Sequence, residues 1–188
     1  MTDSSKPFAI HVVCTGNICR SAFAASYLRQ RLSQLAPGAF VVTSSGTGWY
    51  RGLEVPPPIR DLAQRHGITV DDHEPRYAVR AHYEAADLIL AATRDHRQLI
   101  LAEAPSALKR TFTVGEFADL LRWTSAAPGA DPEAWRAAVR TAAMHRPSVV
   151  PSDIPDPYGL PREAYDEMAA TLVPALDVIL EAAGATAS

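Results

Sequence analysis

Cysteine is scarce in this chain of 188 residues, which contains only Cys14 and Cys19. Two thiols are too few for a disulfide framework, a four-cysteine zinc site or an iron–sulfur cluster. The six histidines are scattered along the sequence and form no evident metal-ligand cluster with carboxylates. We therefore expect a protein of the reducing cytoplasm that needs neither a metal nor another cofactor.

A strong positive charge and a long hydrophobic run are also missing. The chain has 18 basic and 21 acidic side chains, and its formal net charge of −3 gives no overall attraction to nucleic acid or to an anionic membrane. The apolar run from Phe8 to Val13, interrupted by His11, is too short for a signal peptide core or a membrane span. We expect a soluble protein with no nucleic-acid or membrane partner, in which any phosphate-bearing partner needs a local site.

Short β-branched runs alternate with amphipathic stretches along the chain. With 47% apolar residues, the chain is long enough for one globular core, so we expect one domain over residues 1–188, with 1–7 as a flexible tail. Strands are predicted at 8–13, 40–43, 86–92 and 108–113, and helices at 21–35, 59–66, 94–104, 115–121, 132–145 and 162–183. This alternation predicts an α/β fold in which helices cover both faces of a parallel sheet.

Proline becomes frequent between residues 124 and 161, around one predicted helix. That helix starts at Pro132, a residue favoured in the first helical turn, with Asp131 as its N-cap. We interpret residues 122–150 as an excursion on the same domain. Pro174 falls inside the last predicted helix, where it should kink or interrupt the helix.

The stretch with the clearest chemistry lies between the first predicted strand and the first predicted helix. It is Cys14-Thr15-Gly16-Asn17-Ile18-Cys19-Arg20-Ser21, which we call the anion-binding loop. Its backbone N–H groups and the N-terminus of the helix can surround an anion. Arg20 can grip two phosphate oxygens with its planar guanidinium. The same positive potential favours a thiolate at Cys14, which would act as a nucleophile.

Three further residues of this loop suit a supporting role. Gly16 fits a position that needs unusual dihedral angles or a close approach of backbones, and the Asn17 side chain can bond across the loop. Ser21 can donate a hydrogen bond to the Cys14 sulfur. That bond would stabilise the thiolate and, later, the sulfur as a leaving group.

Phosphoryl transfer to a cysteine also needs a proton donor for the departing oxygen and a base for the incoming water. One carboxylic acid can perform both tasks in turn, and Asp156 is our candidate. It lies in the acid loop, Asp153-Ile154-Pro155-Asp156-Pro157-Tyr158-Gly159, which its prolines stiffen. Asp153 is the rival carboxylate in the same loop.

Together these motifs resemble the low-molecular-weight protein-tyrosine phosphatase family. The resemblance extends over most of the chain, and five landmarks match in order. They are the anion-binding loop, Ser44-Ser45-Gly46-Thr47 followed by Trp49, His73-x-x-Arg76, the strand Ala86-Asp87-Leu88-Ile89-Leu90 and the sequence Asp156-Pro157-Tyr158. The family implies a single three-layer domain, with a four-stranded parallel sheet of flavodoxin-like topology, and metal-free hydrolysis of phosphotyrosine in two steps.

The resemblance also implies roles for individual residues. It assigns Cys14 as the nucleophile, Arg20 as the phosphate binder and Asp156 as the acid and then the base. The rest of the phosphate-binding loop would be Thr15, Gly16, Asn17, Ile18, Cys19 and Ser21. A hydrogen-bonded network that fixes this loop would be formed by Asn17, Ser21, Ser44 and His73. The implied partner is a tyrosine-phosphorylated protein, with affinity for phosphate and other oxyanions, and the implied state is a monomer.

Two features depart from the family pattern. Gly159 stands where many members have a second aromatic residue, and the segment before Asp156 is longer than usual. We expect Tyr158 and Trp49, or its neighbour Tyr50, to form the walls of the substrate cleft. A phenyl ring then places its phosphate at the end of a deep slot that phosphoserine is too short to fill, which favours phosphotyrosine. The other interpretation of Trp49 is simple packing.

Three other functions stay open. One branch of the family resembles protein-arginine phosphatases, which typically have threonine at the position of Ile18; the apolar Ile18 favours tyrosine, although an aromatic residue followed by glycine also occurs in the arginine branch. A second branch resembles arsenate reductases that use downstream cysteines. Because none follows Cys19, only a reductase resolved by an external thiol is left. The third is a non-catalytic phosphotyrosine-binding module, which would lack the nucleophile or the acid.

Cys19 has two interpretations. It can be a small buried apolar residue in the first turn of the helix. Alternatively, it captures an oxidised Cys14 as a disulfide and protects the nucleophile from over-oxidation.

Overall fold

The computed structural model describes residues 6–48 and 52–184. Its four strands form one parallel sheet in the order β2-β1-β3-β4. The strands are β1 (Phe8–Cys14), β2 (Phe40–Gly46), β3 (Leu88–Ala91) and β4 (Thr111–Thr113). The helices are α1 (Arg20–Leu35), α2 (Pro57–Arg65), α3 (Arg80–Ala85), α4 (Arg94–Glu103), α5 (Val114–Thr124), α6 (Pro132–His145) and α7 (Arg162–Ala182). The predicted three-layer α/β class with a four-stranded parallel sheet is confirmed.

Helices cover both faces of the sheet, which explains why its strands are apolar almost without interruption. Helices α1, α5 and α7 lie on one face, where the core contains Val12, Phe23 and Leu176. Helices α3 and α4 lie on the other face, where Val13 and Ile100 belong to a second cluster. Successive residues of β1 therefore point into different cores, as the two-residue period of a strand requires.

The predicted helix in the 122–150 segment forms as α6 and closes the N-terminal end of β1 and β2. Its Trp135 is fully buried, with its ring centroid 5.5 Å from that of Phe8 and 5.8 Å from that of Phe40. The carboxylate of Asp131 accepts a hydrogen bond from the Glu133 backbone N–H at 2.9 Å. The predicted N-cap is thus confirmed, and the helix is attached to the core by its tryptophan.

Two predictions about secondary structure need correction, and one helix was not predicted. Residues 108–110 are not a strand, because Pro105 opens a 3₁₀ helix over Pro105–Arg110 and only Thr111–Thr113 pairs with β3. Helix α3 was not predicted, since six residues are too few for a clear period. Pro174 does not interrupt α7, which continues through it. In the part of the chain that the structure describes, we find no helix with the length and apolar character of a membrane span.

Candidate active site

The anion-binding loop begins where β1 ends, at the edge of the sheet formed by the carboxyl ends of the strands. From β1 the chain goes to β2 on one side, and it later returns to β3 on the other side. In parallel α/β sheets such a switch point leaves a crevice for ligands. The loop lies in this crevice and leads directly into α1, whose first residue is Arg20.

The end of β2 fixes the start of the loop. The backbone N–H of Thr47 donates to the Cys14 carbonyl, and that of Gly48 donates to the Thr15 carbonyl, each at 2.9 Å. A Cβ atom at Gly46 would clash with the Thr15 carbonyl oxygen. Glycine is therefore required at position 46 because the two backbones approach so closely.

Asn17 holds the middle of the loop in an unusual conformation. Its φ of 55° lies in the left-handed region, which asparagine tolerates better than most residues. The side-chain amide is fully buried and donates to the hydroxyls of Ser21 at 2.8 Å and Ser44 at 2.9 Å. The Asn17 amide oxygen accepts from the backbone N–H of Arg76 at 3.0 Å. The special dihedral angle expected at Gly16 is thus found at Asn17.

His73 completes this network from the segment after α2. Its Nε2 lies 2.7 Å from the backbone oxygen of Asn17, and since a carbonyl only accepts, Nε2 carries the proton. Burial, together with the cations Arg29 and Arg76, lowers the pKa of His73 below its ordinary value, and the bond to Asn17 opposes that change. All four members predicted for the network, which are Asn17, Ser21, Ser44 and His73, are brought together.

Ser21 links this network to Cys14. Its Oγ lies 2.9 Å from the sulfur of Cys14, a residue that is 2% exposed at the end of β1. Because the Ser21 oxygen already accepts from the amide of Asn17, its proton is available to the sulfur. The N-terminus of α1 adds positive potential at the same point. The geometry suits a sulfur that carries negative charge.

Arg20 lies beneath the acid loop and is 5% exposed. One terminal nitrogen donates to the Asp156 carboxylate at 2.5 Å and to the Thr15 hydroxyl at 3.3 Å. The other donates to the backbone oxygen of Ile154 at 3.4 Å. The Nε of Arg20 is buried and has no hydrogen-bond partner within the described residues. A buried guanidinium with an unused donor is well suited to bind an additional oxygen acceptor.

The structure separates the two candidate carboxylates. Asp156 pairs with Arg20 and accepts from the backbone N–H of Tyr158 at 3.2 Å. Asp153 instead pairs with Arg94, accepting from its backbone N–H at 2.8 Å and from its guanidinium at 2.9 Å. These hydrogen bonds hold the pKa of Asp153 below its usual range. Asp156 is therefore the carboxylate at the anion-binding loop, and Asp153 anchors the acid loop to α4.

A cleft of about 310 Å³ opens above Cys14. Its lining is mostly apolar and consists of Cys14, Thr15, Gly16, Ile18, Cys19, Arg20, Leu53, Asp156 and Tyr158. Tyr158 is 56% exposed and forms the outer wall, as predicted. Trp49 and Tyr50, the other predicted wall residues, lie outside the described residues.

Cys19 is buried beside the nucleophile candidate but differs from it. Burial, and next the proximity of Cys14, raises the pKa of Cys19 to about 12. The Cys19 thiol therefore stays protonated at neutral pH and is a poor nucleophile. Of the two cysteines in the cleft, Cys14 is the one with a hydrogen-bond donor directed at its sulfur.

Two parts of the site escaped prediction from sequence. Leu53, which lines the cleft, lies in a short segment without a recognisable motif. His96 is 6% exposed and bonds to the Thr15 hydroxyl at 2.9 Å, 81 positions away in sequence. The only sequence signal for it is Thr93, which caps α4 three residues earlier. Across residues 6–48 and 52–184, no three histidine, cysteine or carboxylate side chains come together as a metal site would require.

Comparison with known sequences gives a consistent result. Residues 9–132 match the family model described as low molecular weight phosphotyrosine protein phosphatase. A protein of Ralstonia solanacearum, named "Probable low molecular weight protein-tyrosine-phosphatase EpsP", is 36% identical over 107 residues, which are 57% of this chain and 70% of that protein. Asp156 lies beyond the segment that matches the family model.

Two solved structures extend the similarity over nearly the whole chain. The YwlE arginine phosphatase from Geobacillus stearothermophilus has a TM-score of 0.69 and 27% identity, and the match covers 93% of this chain and 92% of that one. The tyrosine phosphatase Wzb from Escherichia coli K30, in complex with sulphate, has a TM-score of 0.68 and 25% identity over 94% of this chain and 98% of that one. A tyrosine phosphatase and an arginine phosphatase are thus both similar to this chain.

Proposed function

Because this chain belongs to the low molecular weight phosphotyrosine protein phosphatase family, we propose that it hydrolyses phosphotyrosine in proteins with Cys14 as the nucleophile. The observation that carries the proposal is the convergence of three groups at one cleft. The Ser21 hydroxyl lies 2.9 Å from the Cys14 sulfur. Arg20, which precedes Ser21 in the same loop, donates to the Asp156 carboxylate at 2.5 Å. Nucleophile, phosphate binder and acid are the three groups that hydrolysis through a covalent intermediate needs.

In the first step, the Cys14 thiolate attacks phosphorus and forms an S–P bond while the bond to the tyrosine oxygen breaks. Asp156 donates its proton to that oxygen, so tyrosine leaves as a neutral phenol. Arg20 and the loop N–H groups bind the phosphoryl oxygens, on which negative charge is spread in the transition state. The products of this step are dephosphorylated tyrosine and a cysteinyl phosphate.

In the second step, Asp156 is a carboxylate and takes a proton from the incoming water. The oxygen of that water forms a bond to phosphorus, and the S–P bond breaks to release inorganic phosphate. The Ser21 hydroxyl stabilises the departing thiolate, because the Asn17 amide donates to the Ser21 oxygen and leaves the Ser21 proton directed at sulfur. The network around Asn17 thus contributes by keeping this donor in place before the reaction starts.

Arg20 exchanges partners during this cycle. A phosphate dianion offers Arg20 the negative charge that it otherwise finds in Asp156, and the buried Nε of Arg20 gains an acceptor. Binding of the substrate therefore frees Asp156 to face the leaving oxygen. Asp153 keeps the acid loop attached to α4 through Arg94 while Asp156 changes its partner.

The shape and polarity of the cleft support phosphotyrosine as the substrate. Ile18, Leu53 and Tyr158 give it apolar walls on which a phenyl ring can pack. Against the side chains of Ile18 and Leu53, the N–H groups of a phosphorylated guanidinium would find no acceptor. The Ile18 side chain in particular offers no hydrogen-bond acceptor to the cleft.

Phosphoarginine is the second candidate substrate, favoured by the similarity to the YwlE arginine phosphatase. The residue that should decide between the two is Ile18. An Ile18→Thr variant adds a hydroxyl that can accept from a guanidinium, so we expect its ratio of kcat/KM for phosphoarginine to that for phosphotyrosine to rise by about ten-fold. An unchanged ratio would show that Ile18 does not select the substrate.

The test of the proposed function is turnover of a phosphotyrosyl peptide by the purified protein. We expect activity in the wild type and none in Cys14→Ser. Absence of turnover in the wild type, or activity that survives in Cys14→Ser, would overturn the proposal.

A further inference from the structure

His96 makes two side-chain hydrogen bonds, although the reaction described above makes no use of it. It lies in the first turn of α4 and is almost completely buried. Its Nδ1 is 2.7 Å from the Thr93 hydroxyl and its Nε2 is 2.9 Å from the Thr15 hydroxyl. One imidazole thus joins the start of α4 to the anion-binding loop.

The Thr15 hydroxyl in turn contacts Arg20. Its oxygen accepts from a terminal nitrogen of Arg20 at 3.3 Å, and that same nitrogen bonds to Asp156. Burial, and next the charge of Arg20, lowers the pKa of His96 to about 4. The ring is therefore neutral at physiological pH, with one nitrogen that donates and one that accepts. A neutral ring is compatible with a neighbouring guanidinium.

The bond from Thr15 matters most when phosphate is present. In the proposed reaction, phosphate replaces Asp156 as a hydrogen-bond partner of Arg20. The remaining protein acceptors of the guanidinium are then the Thr15 hydroxyl and the backbone oxygen of Ile154. The Thr15 side chain can rotate about its Cα–Cβ bond, and the hydrogen bond to His96 restricts that rotation.

We propose that His96 is a positioning residue that orients the Thr15 hydroxyl and, through it, holds the Arg20 guanidinium in the direction that binds phosphate. The inference rests on the proposed function, since it concerns the same site. His96 touches neither the nucleophile nor the cleft and acts only through Thr15. Its contribution should therefore appear in phosphate affinity and in kcat/KM, and it should vanish when the Thr15 hydroxyl is absent.

His11 provides a matched control within the same chain. It is 2% exposed, and its two nitrogens bond to the hydroxyls of Thr43 and Ser45, each at 2.8 Å. This is the same chemical arrangement as at His96, a buried imidazole between two hydroxyls. It lies on β1 against β2, without contact to Arg20 or Thr15. If phosphate affinity falls only because a buried imidazole is removed, the fall should be equal for His96 and His11.

The experiment compares His96→Leu, Thr15→Val, the double variant and His11→Leu. The dissociation constant of inorganic phosphate and kcat/KM on a phosphotyrosyl peptide are measured for each, together with the urea midpoint. We expect His96→Leu and Thr15→Val each to weaken phosphate binding and lower kcat/KM by about ten-fold, and the double variant to be no worse than the poorer single variant. We expect His11→Leu to lower the urea midpoint with little change in either constant.

Effects that multiply in the double variant, or equal losses of phosphate affinity in His96→Leu and His11→Leu, would overturn the inference. If His96→Leu does not fold, His96→Gln replaces it, since its amide can still bond to Thr15 and should retain most of the affinity. The two proposals fail separately. A wild type that binds phosphate without turnover contradicts the proposed function alone, and an active wild type whose phosphate affinity is indifferent to His96 contradicts this inference alone.

Discussion

The guanidinium of Arg20 donates to the carboxylate of Asp156 across 2.5 Å, although the two residues are 136 positions apart in sequence. Arg20 is buried at the start of α1, whereas Asp156 is half-exposed in the acid loop. A buried cation needs a partner, and here Asp156 supplies the negative charge. This pair joins the two halves of the proposed active site, the group proposed to bind phosphate and the group proposed to transfer protons.

The first prediction concerns the geometry of Arg20. Arg20→Lys keeps the positive charge but loses the planar set of donors, so we expect kcat/KM on a phosphotyrosyl peptide to fall by about 10²- to 10³-fold. The dissociation constant of vanadate, measured in parallel, should rise as well. Arg122→Lys is the control, because Arg122 is an exposed arginine on α5 that pairs with Asp119. Wild-type activity in Arg20→Lys would show that a positive charge at position 20 is sufficient for phosphate binding and catalysis, without the planar set of donors.

The second prediction distinguishes the two carboxylates of the acid loop. Asp156→Asn removes the proton donor, so kcat on a phosphotyrosyl peptide should fall by roughly 10²- to 10⁴-fold. On 4-nitrophenyl phosphate the loss should be smaller, because nitrophenolate leaves without a proton. Asp153→Asn changes an exposed ion pair and should lower kcat on the phosphotyrosyl peptide by less than about five-fold. Equal losses in the two variants would contradict the assignment of Asp156 as the acid.

The third prediction concerns oxidation. Mild peroxide should convert Cys14 to a sulfenic acid. Although Cys19 is a poor nucleophile as a thiol, its neighbouring sulfur should attack that sulfenic acid through its minor thiolate form, to give a disulfide and one water. Activity then returns when a thiol reductant is added. In Cys19→Ser the sulfenic acid has no internal partner and proceeds to the sulfinic acid, so much less activity should return. Equal recovery in the wild type and in Cys19→Ser would leave Cys19 as a packing residue only.

The fourth prediction is a loss of stability in mild acid. Burial, followed by the nearby His82 and Arg76, lowers the pKa of His11 from 6.5 to about 3. Below the pKa that His11 has in the unfolded chain, the unfolded chain binds a proton that the folded chain excludes. The free energy of unfolding therefore keeps its full value above that pKa and decreases as pH falls below it. For this one histidine, the free energy of unfolding should fall by about 1.4 kcal/mol per pH unit.

Urea unfolding between about pH 7 and about pH 5 checks this slope. The wild type should lose stability more steeply than His11→Gln, and the difference in slope should approach the value for one proton. His145→Gln is the control, since His145 is exposed on α6. Parallel slopes for the wild type and His11→Gln would contradict the account, because they would mean that His11 takes up the same protons in both states.

Local patterns predicted those parts of the site that are local in structure. Cys14, Asn17, Arg20 and Ser21 lie within eight consecutive positions, between an apolar strand and an amphipathic helix, so their proximity follows from the strand-loop-helix arrangement. Ser44 and His73 entered only through the family resemblance. Nothing in their own surroundings in the sequence indicates that both reach Asn17.

The rest of the site depends on tertiary contacts that no local pattern encodes. His96 meets Thr15 because β3 lies beside β1, and this places the start of α4 next to the anion-binding loop. The choice between Asp153 and Asp156 depends on which of them Arg94 captures, which the sequence of the acid loop alone does not determine. The first half of the predicted strand at 108–113 was wrong because Pro105 starts a 3₁₀ helix that extends to Arg110.

The central claim is most directly tested by kcat/KM on two versions of one peptide, one with phosphotyrosine and the other with phosphoarginine. The account predicts that phosphotyrosine is preferred by at least about ten-fold, a difference of about 1.4 kcal/mol. Both activities should be absent in Cys14→Ser. Preference for phosphoarginine, or turnover of either peptide by Cys14→Ser, would contradict it.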